Sequence, residues 1–314
     1  MSELAEASPE TAGSVTPERL IEAIAAFTRG YSIESMPQDI DSAERYPAFL
    51  AAGTRVYVAH PPGVDIEDIV AMAERLAANG LRPVPHLAAR RIESRALLET
   101  ALERLARAGA TSALVIAGDA PEPSGPFLAA MDLLRTGLLE QYGLENIGVA
   151  GHPTGIEGIP LETTEQALLI KAEFAWNTPL DVYIVTQFAF DPEPLLTWER
   201  DTGARGIDLP IHVGIAGPTK VKQLMKMGMR CGVRASLRML RKHAGILASL
   251  LTVAAPDRLM VSLARHRLLH PETRIVGSHY FAFGGVEATA QWLNAVARGD
   301  TLLNDEATGF EVRT

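Results

Sequence analysis

Two acids and several imidazoles stand where short apolar runs break off. Glu34 closes YSIES (31–35), and Asp119 closes SALVIAGD (112–119). His60, His86, His152, Gln187, Gly217 and His279 hold the same place in RVYVAH, RPVPHLAA, NIGVAGHP, DVYIVTQFAF, PIHVGIAG and RIVGSHYFAF. A carboxyl at such a place can move a proton or face a positive charge; it can also simply cap the helix that follows. The histidines of the second, third and fifth runs lack a companion carboxylate at metal-ligand spacing, so no metal is expected. GVAGHPTGIEG (148–158) is glycine-rich but is neither GxGxxG nor a Walker loop. Either a backbone cradle for a phosphate or a plain tight turn fits it.

These side chains share one rim only if the runs are strands of a parallel barrel, whose active site lies at the C-terminal strand ends. Eight β-branched runs alternate with amphipathic stretches such as IEDIVAMAERLAANG and SRALLETALERLARAG. In the second, Leu97, Leu98, Ala101, Leu102, Leu105 and Ala108 make one apolar face, and Gly80, Gly109 and Gly143 suit helix ends. The pattern predicts a (β/α)8 TIM barrel, in preference to an open doubly wound sheet. Nearly 60 residues separate strands seven and eight, so SLRMLRKHAGILASLLTVAA and PDRLMVSLARHRLL are expected to add helices there. No Pro/Gly/Ser linker divides the chain. Residues 1–16 are expected to be a disordered tail and 17–314 a single barrel domain.

The formal charge of −9 over 314 residues argues against a nucleic-acid surface. A single cysteine, Cys231, excludes an internal disulfide and a CxxC metal site, and points to a reducing, cytoplasmic compartment. No apolar run is long enough for a membrane span, and MSELAEASPETAGSV lacks the basic start of a signal peptide.

In their order and spacing, SIESMP, VPHLAA, AGDAPEPSG, IGVAGHPTG, TQFAFD and GIDLPIHVGIAGPTKVKQL resemble the methylenetetrahydrofolate reductase family, as a divergent member. The resemblance implies reduction of 5,10-methylenetetrahydrofolate to 5-methyltetrahydrofolate by NAD(P)H through FAD. It makes Glu34 the acid that opens or protonates the folate imidazolidine ring. Asp119 falls near the flavin pyrimidine edge and the pterin, and Gln187 bonds the pterin or the nicotinamide amide. It further implies cofactor contacts at His60, His86, Gly118, Ala150, His152 and Lys171, and substrate contacts at Gln223 and Phe281.

Three departures fall on the flavin side. Ala117-Gly118-Asp119 stands where the family has Arg-Gly-Asp. His152-Pro153-Thr154-Gly155-Ile156 replaces Tyr-Pro-Glu-x-His, and HYFAFG replaces HFYTLN. Arg90, Arg91 and Lys171 are the candidates to supply the missing charge. The competing readings are direct hydride transfer from NADH without flavin, a tetrahydrofolate-dependent one-carbon transferase or demethylase, and a folate-binding protein without turnover. Apolar helices after strand seven offer a surface for a homo-oligomer.

Overall fold

The computed structural model describes residues 15–230 and 253–313. Eight parallel strands close into a barrel: β1 (Ser32–Ser35), β2 (Arg55–Val58), β3 (Arg82–Ala88), β4 (Ser112–Ile116), β5 (Asn146–Gly151), β6 (Asp181–Ala189), β7 (Ile211–Ala216) and β10 (Ile275–Phe281). Closure is made by β10, which pairs with β7 on one side and with β1 on the other.

Alternation along each strand divides the apolar residues between two cores. Val56, Val58, Val115, Ile147, Val149, Ile184, Val213 and Ile215 face outward and join the helices in one large cluster. Tyr57, Val84, Leu114, Tyr183 and Val185 point inward and fill the barrel. Gly148 makes room for this filling, since a Cβ there would lie 2.9 Å from the Leu114 Cδ1 methyl and 3.2 Å from the Tyr183 ring. Helices Ile66–Ala78 and Arg95–Arg107 form as their patterns predict. Leu98, Ala101, Leu102 and Leu105 are buried on the second, and Gly80 and Gly109 follow the two helix ends with positive φ.

Several elements differ from the sequence-based expectation. The first crossover, Pro37–Ala48, is a 3-10 helix, bracketed by Pro37 and Pro47, which remove backbone donors. A helix, Pro17–Thr28, precedes the barrel, capped by the side chain of Thr16. It packs against helices Asp257–Leu269 and Val286–Arg298, outside the seam where β1 meets β10. Between β7 and β10, helices Val221–Arg230 and Asp257–Leu269 are present. Residues 236–252 of the first helix expected there lie outside the described residues. Its end, Val253–Ala254, is β9, paired with β8 (Thr219–Lys220) and not helical. The antiparallel pair Thr301–Leu303 and Phe310–Val312 ends the chain's described part.

Candidate active site

Ile33 faces the outer core, so Glu34 and Ser32 face into the barrel. The Glu34 side chain, 15 % exposed, sits at the mouth, with Oε2 3.8 Å from Nε2 of His86 and 3.9 Å from Nε2 of His279. Burial raises the Glu34 pKa above the ordinary carboxylate value, opposed by His86. Burial also holds His86 down, to about 4, against the pull of Glu34. His279 is held down to about 3, chiefly by burial and further by Arg55. Burial thus favours the neutral form of all three groups, the carboxyl and the two imidazoles. Beneath them, Tyr57 lies over the His279 ring with centroids 4.3 Å apart, and its hydroxyl is 2.7 Å from that of Tyr183.

Gln187 owes its position to a break in the ladder. Val185 pairs with His212 and Phe188 with Gly214, so β6 spends three steps where β7 spends two. This bulge re-aims the side chains of Thr186 and Gln187. The Gly214 N–H donates to Thr186 Oγ1 at 2.8 Å. A Cβ on Gly214 would lie 2.2 Å from the Thr186 carbonyl oxygen, so only glycine admits the bulge. Gln187 borders His152, whose pKa burial and Lys171 lower to about 4. Lys171, on helix Leu161–Ala175, is itself lowered by burial, and Ala150 precedes His152 on β5. Buried polar atoms without partners mark this mouth: His60 Nδ1, His86 Nε2, Arg91 Nε, His152 Nδ1 and Gln187 Oε1. Polar atoms of this kind, gathered at strand ends, can accept or donate to a polar molecule entering the mouth.

The family model described as Methylenetetrahydrofolate reductase matches residues 61–248, more than half of the chain. The chain belongs to this family. A 5,10-methylenetetrahydrofolate reductase of Pectobacterium carotovorum subsp. carotovorum is 32% identical over 156 residues, covering 49% of this chain and 50% of that protein. Methylenetetrahydrofolate reductase 2 of Saccharomyces cerevisiae is 28% identical over 163 residues, 47% of this chain and 25% of that protein. The matches thus span half or less of these curated relatives. A solved protein from Clostridium thermocellum, described as uncharacterized and binding two copies of 5-methyl-5,6,7,8-tetrahydrofolic acid, superposes with a TM-score of 0.52 at 14% identity. It covers 85% of this chain and 92% of its own, and the likeness shows the shared barrel fold.

The end of β4 departs from the sequence-based expectation. The strand stops at Ile116, short of the expected 119, and Ala117 is exposed beyond it. Gly118 follows at φ +86, packed on Ala88. The Asp119 side chain is 71 % exposed and ion-paired with Arg91, whose side chain is only 12 % exposed. The cation beside the aspartate therefore comes from the end of β3. Arg90 acts elsewhere, its guanidinium donating to the carbonyls of Ala120, at 2.7 Å, and of Pro121. It ties down the AGDAPEPSG loop. His60 lies just past β2, which ends at Val58, with Nε2 3.2 Å from the Val64 carbonyl.

On the opposite side the mouth is apolar. Phe188, Phe190, Phe281 and Phe283 pack together, and Phe281 also meets His279 edge-on at 4.9 Å. Leu224 joins them, and Gln223 is its half-buried neighbour on helix Val221–Arg230. A cavity of about 310 Å³ adjoins this wall, between Phe190, Gly217, Leu224 and Pro256; Glu34 does not line it. The sequence pattern did not single out Tyr57, Tyr183, His212 and Ser32, although inward parity in RVYV, DVYIV, IHV and SIES could have found them. Among the described residues no group of three or more His, Cys, Asp or Glu side chains is placed to hold a metal, and no helix is long and apolar enough to cross a membrane.

Proposed function

We propose that this chain reduces 5,10-methylenetetrahydrofolate to 5-methyltetrahydrofolate with NAD(P)H as the electron source and FAD between them. The observation that carries the reading is Glu34, a half-buried carboxyl at the barrel mouth whose pKa burial raises, facing His86 and His279. Opening the imidazolidine ring needs a proton on a ring nitrogen, and a carboxyl whose pKa burial raises is suited to supply it. The Gln187 amide meets the polar edge of the pterin, and Phe281 with its aromatic neighbours supports the apolar remainder, with Gln223 beside them. Asp119 faces the cationic iminium that ring opening leaves, while Arg91 fixes its orientation.

Bound FAD would supply the hydride relay between the nicotinamide and the folate. The unpartnered atoms of His60, His86, Arg91 and His152 fit its polar ring edge, with Gly118 and Ala150 giving close backbone approach; Lys171 fits a phosphate. A single cysteine suits a reducing cytoplasmic setting for this chemistry. Ala117 supports a second reading, direct hydride transfer from NADH to folate, because β4 itself carries no guanidinium there and Arg91 is engaged by Asp119.

The test is to supply the purified protein with NADH and methylenetetrahydrofolate and follow nicotinamide oxidation and 5-methyltetrahydrofolate together. Equal formation of both products supports the reading; methyl transfer without nicotinamide oxidation replaces it with a transferase. A flavin spectrum with parallel double-reciprocal lines indicates the relay, and intersecting lines without flavin indicate direct transfer.

A further inference from the structure

The stretch that carries Asp119 past the end of β4 has little with which to hold itself in place. Residues 117–129 read AGDAPEPSGPFLA, and Pro121, Pro123 and Pro126 have no N–H to donate. Among the described residues, the one backbone–backbone hydrogen bond made by residues 118–127 leaves the loop: the Ser124 N–H donates to the Arg90 carbonyl at 2.8 Å. The loop carbonyls therefore need donors from outside, and Arg90 supplies them.

Arg90 sits in the 3-10 turn Ala89–Arg91 that follows β3. Its N–H donates to the Ala117 carbonyl at 2.9 Å, which continues the contact of β3 with β4 beyond their last paired residues, Ala88 and Ile116. Its guanidinium donates to the carbonyls of Ala120 at 2.7 Å, of Pro121, and of Leu128 at 3.4 Å. One planar fork thus holds both halves of the loop, a task for which the ammonium of a lysine has the wrong shape. The loop is also seated closely on the turn. A Cβ on Gly125 would lie 2.3 Å from the Glu93 carbonyl oxygen, and one on Gly118 3.2 Å from the Cβ of Ala88. The next residue, Arg91, pairs with Asp119 itself. Consecutive arginines divide the work: Arg90 fixes the backbone on which Asp119 stands, and Arg91 meets its carboxylate.

We propose that Arg90 is a positioning residue for Asp119, acting through the backbone of residues 117–128 and touching neither folate nor nicotinamide. The inference rests on the reading in which Asp119 faces the cationic iminium. No bond forms or breaks at Arg90. Its part is to keep the carboxylate where it opposes that charge, and a displacement of about 1 Å in such a group can cost on the order of a hundredfold in rate.

The experiment is a double-mutant cycle on kcat and KM for methylenetetrahydrofolate in the wild type, R90A, D119N and R90A/D119N, with R90K beside them. R90A should lower kcat by about ten- to hundredfold. In the D119N background the same change should cost less than about threefold, because the carboxylate it places is already gone. R90K keeps the charge but not the fork, and should recover only part of kcat. Equal losses from R90A in both backgrounds mean that Arg90 merely supports the fold and overturn the proposal. An R90A variant with the wild-type kcat overturns it as well. Should R90A fail to fold, R90K and R90K/D119N complete the cycle and decide by the same comparison. Full turnover in D119N would be a distinct failure, that of the Asp119 reading itself, and the proposal would fall with it.

Discussion

Gly214→Ala should damage the protein more than its size suggests. The new methyl would lie 2.2 Å from the Thr186 carbonyl oxygen and 2.8 Å from both the carbonyl carbon and oxygen of Gln187. All three are backbone atoms, so no side chain can swing aside, and the bulge carrying Gln187 must shift. Overpacking of this kind costs about 1–3 kcal/mol, and contact with rigid backbone places the cost at the upper end, about 3 kcal/mol. At roughly 2 °C per kcal/mol for a chain of this size, the melting temperature should fall by about 6 °C. Gly148→Ala is the matched comparison. Its methyl would meet the end of Leu114 at 2.9 Å and the Tyr183 ring at 3.2 Å, and the leucine can move. A cost of about 1 kcal/mol is expected there. Thermal denaturation by circular dichroism and folate turnover on the same samples give the assay. Gly214→Ala should lose turnover beyond its loss of folded protein, because Gln187 is re-aimed. A melt within about 1 °C of the wild type, with turnover intact, would refute the role of the bulge.

Acid should destabilise the fold. The folded state holds His86, His152 and His212 at about 4 and His279 at about 3, against 6.5 for the ordinary side chain. Between those values the unfolded chain binds more protons, so stability is complete above about pH 6.5 and declines as pH falls toward 4. His60, also lowered by burial, adds to this, while Glu34 and Asp257, raised by burial, oppose it; a melting temperature that rises from pH 6.5 to 5 would contradict the assignment. Asp119→Asn should slow folate reduction more than nicotinamide oxidation in stopped flow, whereas equal slowing points to a structural pair with Arg91. Ala117→Arg should tighten FAD by roughly ten- to hundredfold, worth about 1.5–3 kcal/mol, in a fluorescence titration of the stripped protein. Unchanged affinity would mean that Arg91 already serves in its place.

The barrel was legible because its strands obey a period of two and its helices do not. Val56 and Val58 turn outward while Tyr57 turns inward, and that pattern repeats around the sheet. The polar strand ends were legible for the same reason. Their mutual contacts were not. Glu34 meets His86 and His279 only because β1 lies between β2 and β10 at a particular register, which no local spacing encodes. The Arg91–Asp119 pair joins two loops 28 residues apart, and its cation follows β3 instead of β4. The ending of β4 at Ile116 was equally hidden, since Ala117 and Gly118 continue an apolar run in sequence but leave the ladder in space. In the β8–β9 pair, Val253–Ala254 reads as the end of an apolar helix, yet pairs with Thr219–Lys220.

In the proposed function, Glu34 supplies the proton that opens the folate ring. Turnover of methylenetetrahydrofolate by Glu34→Gln, measured beside binding of the reduced nicotinamide, tests it most directly. Glutamine keeps the shape and cannot donate as an acid, so folate reduction should fall by about 10²–10⁴ while nicotinamide binding is unchanged. A variant that reduces folate at the wild-type rate would contradict the account.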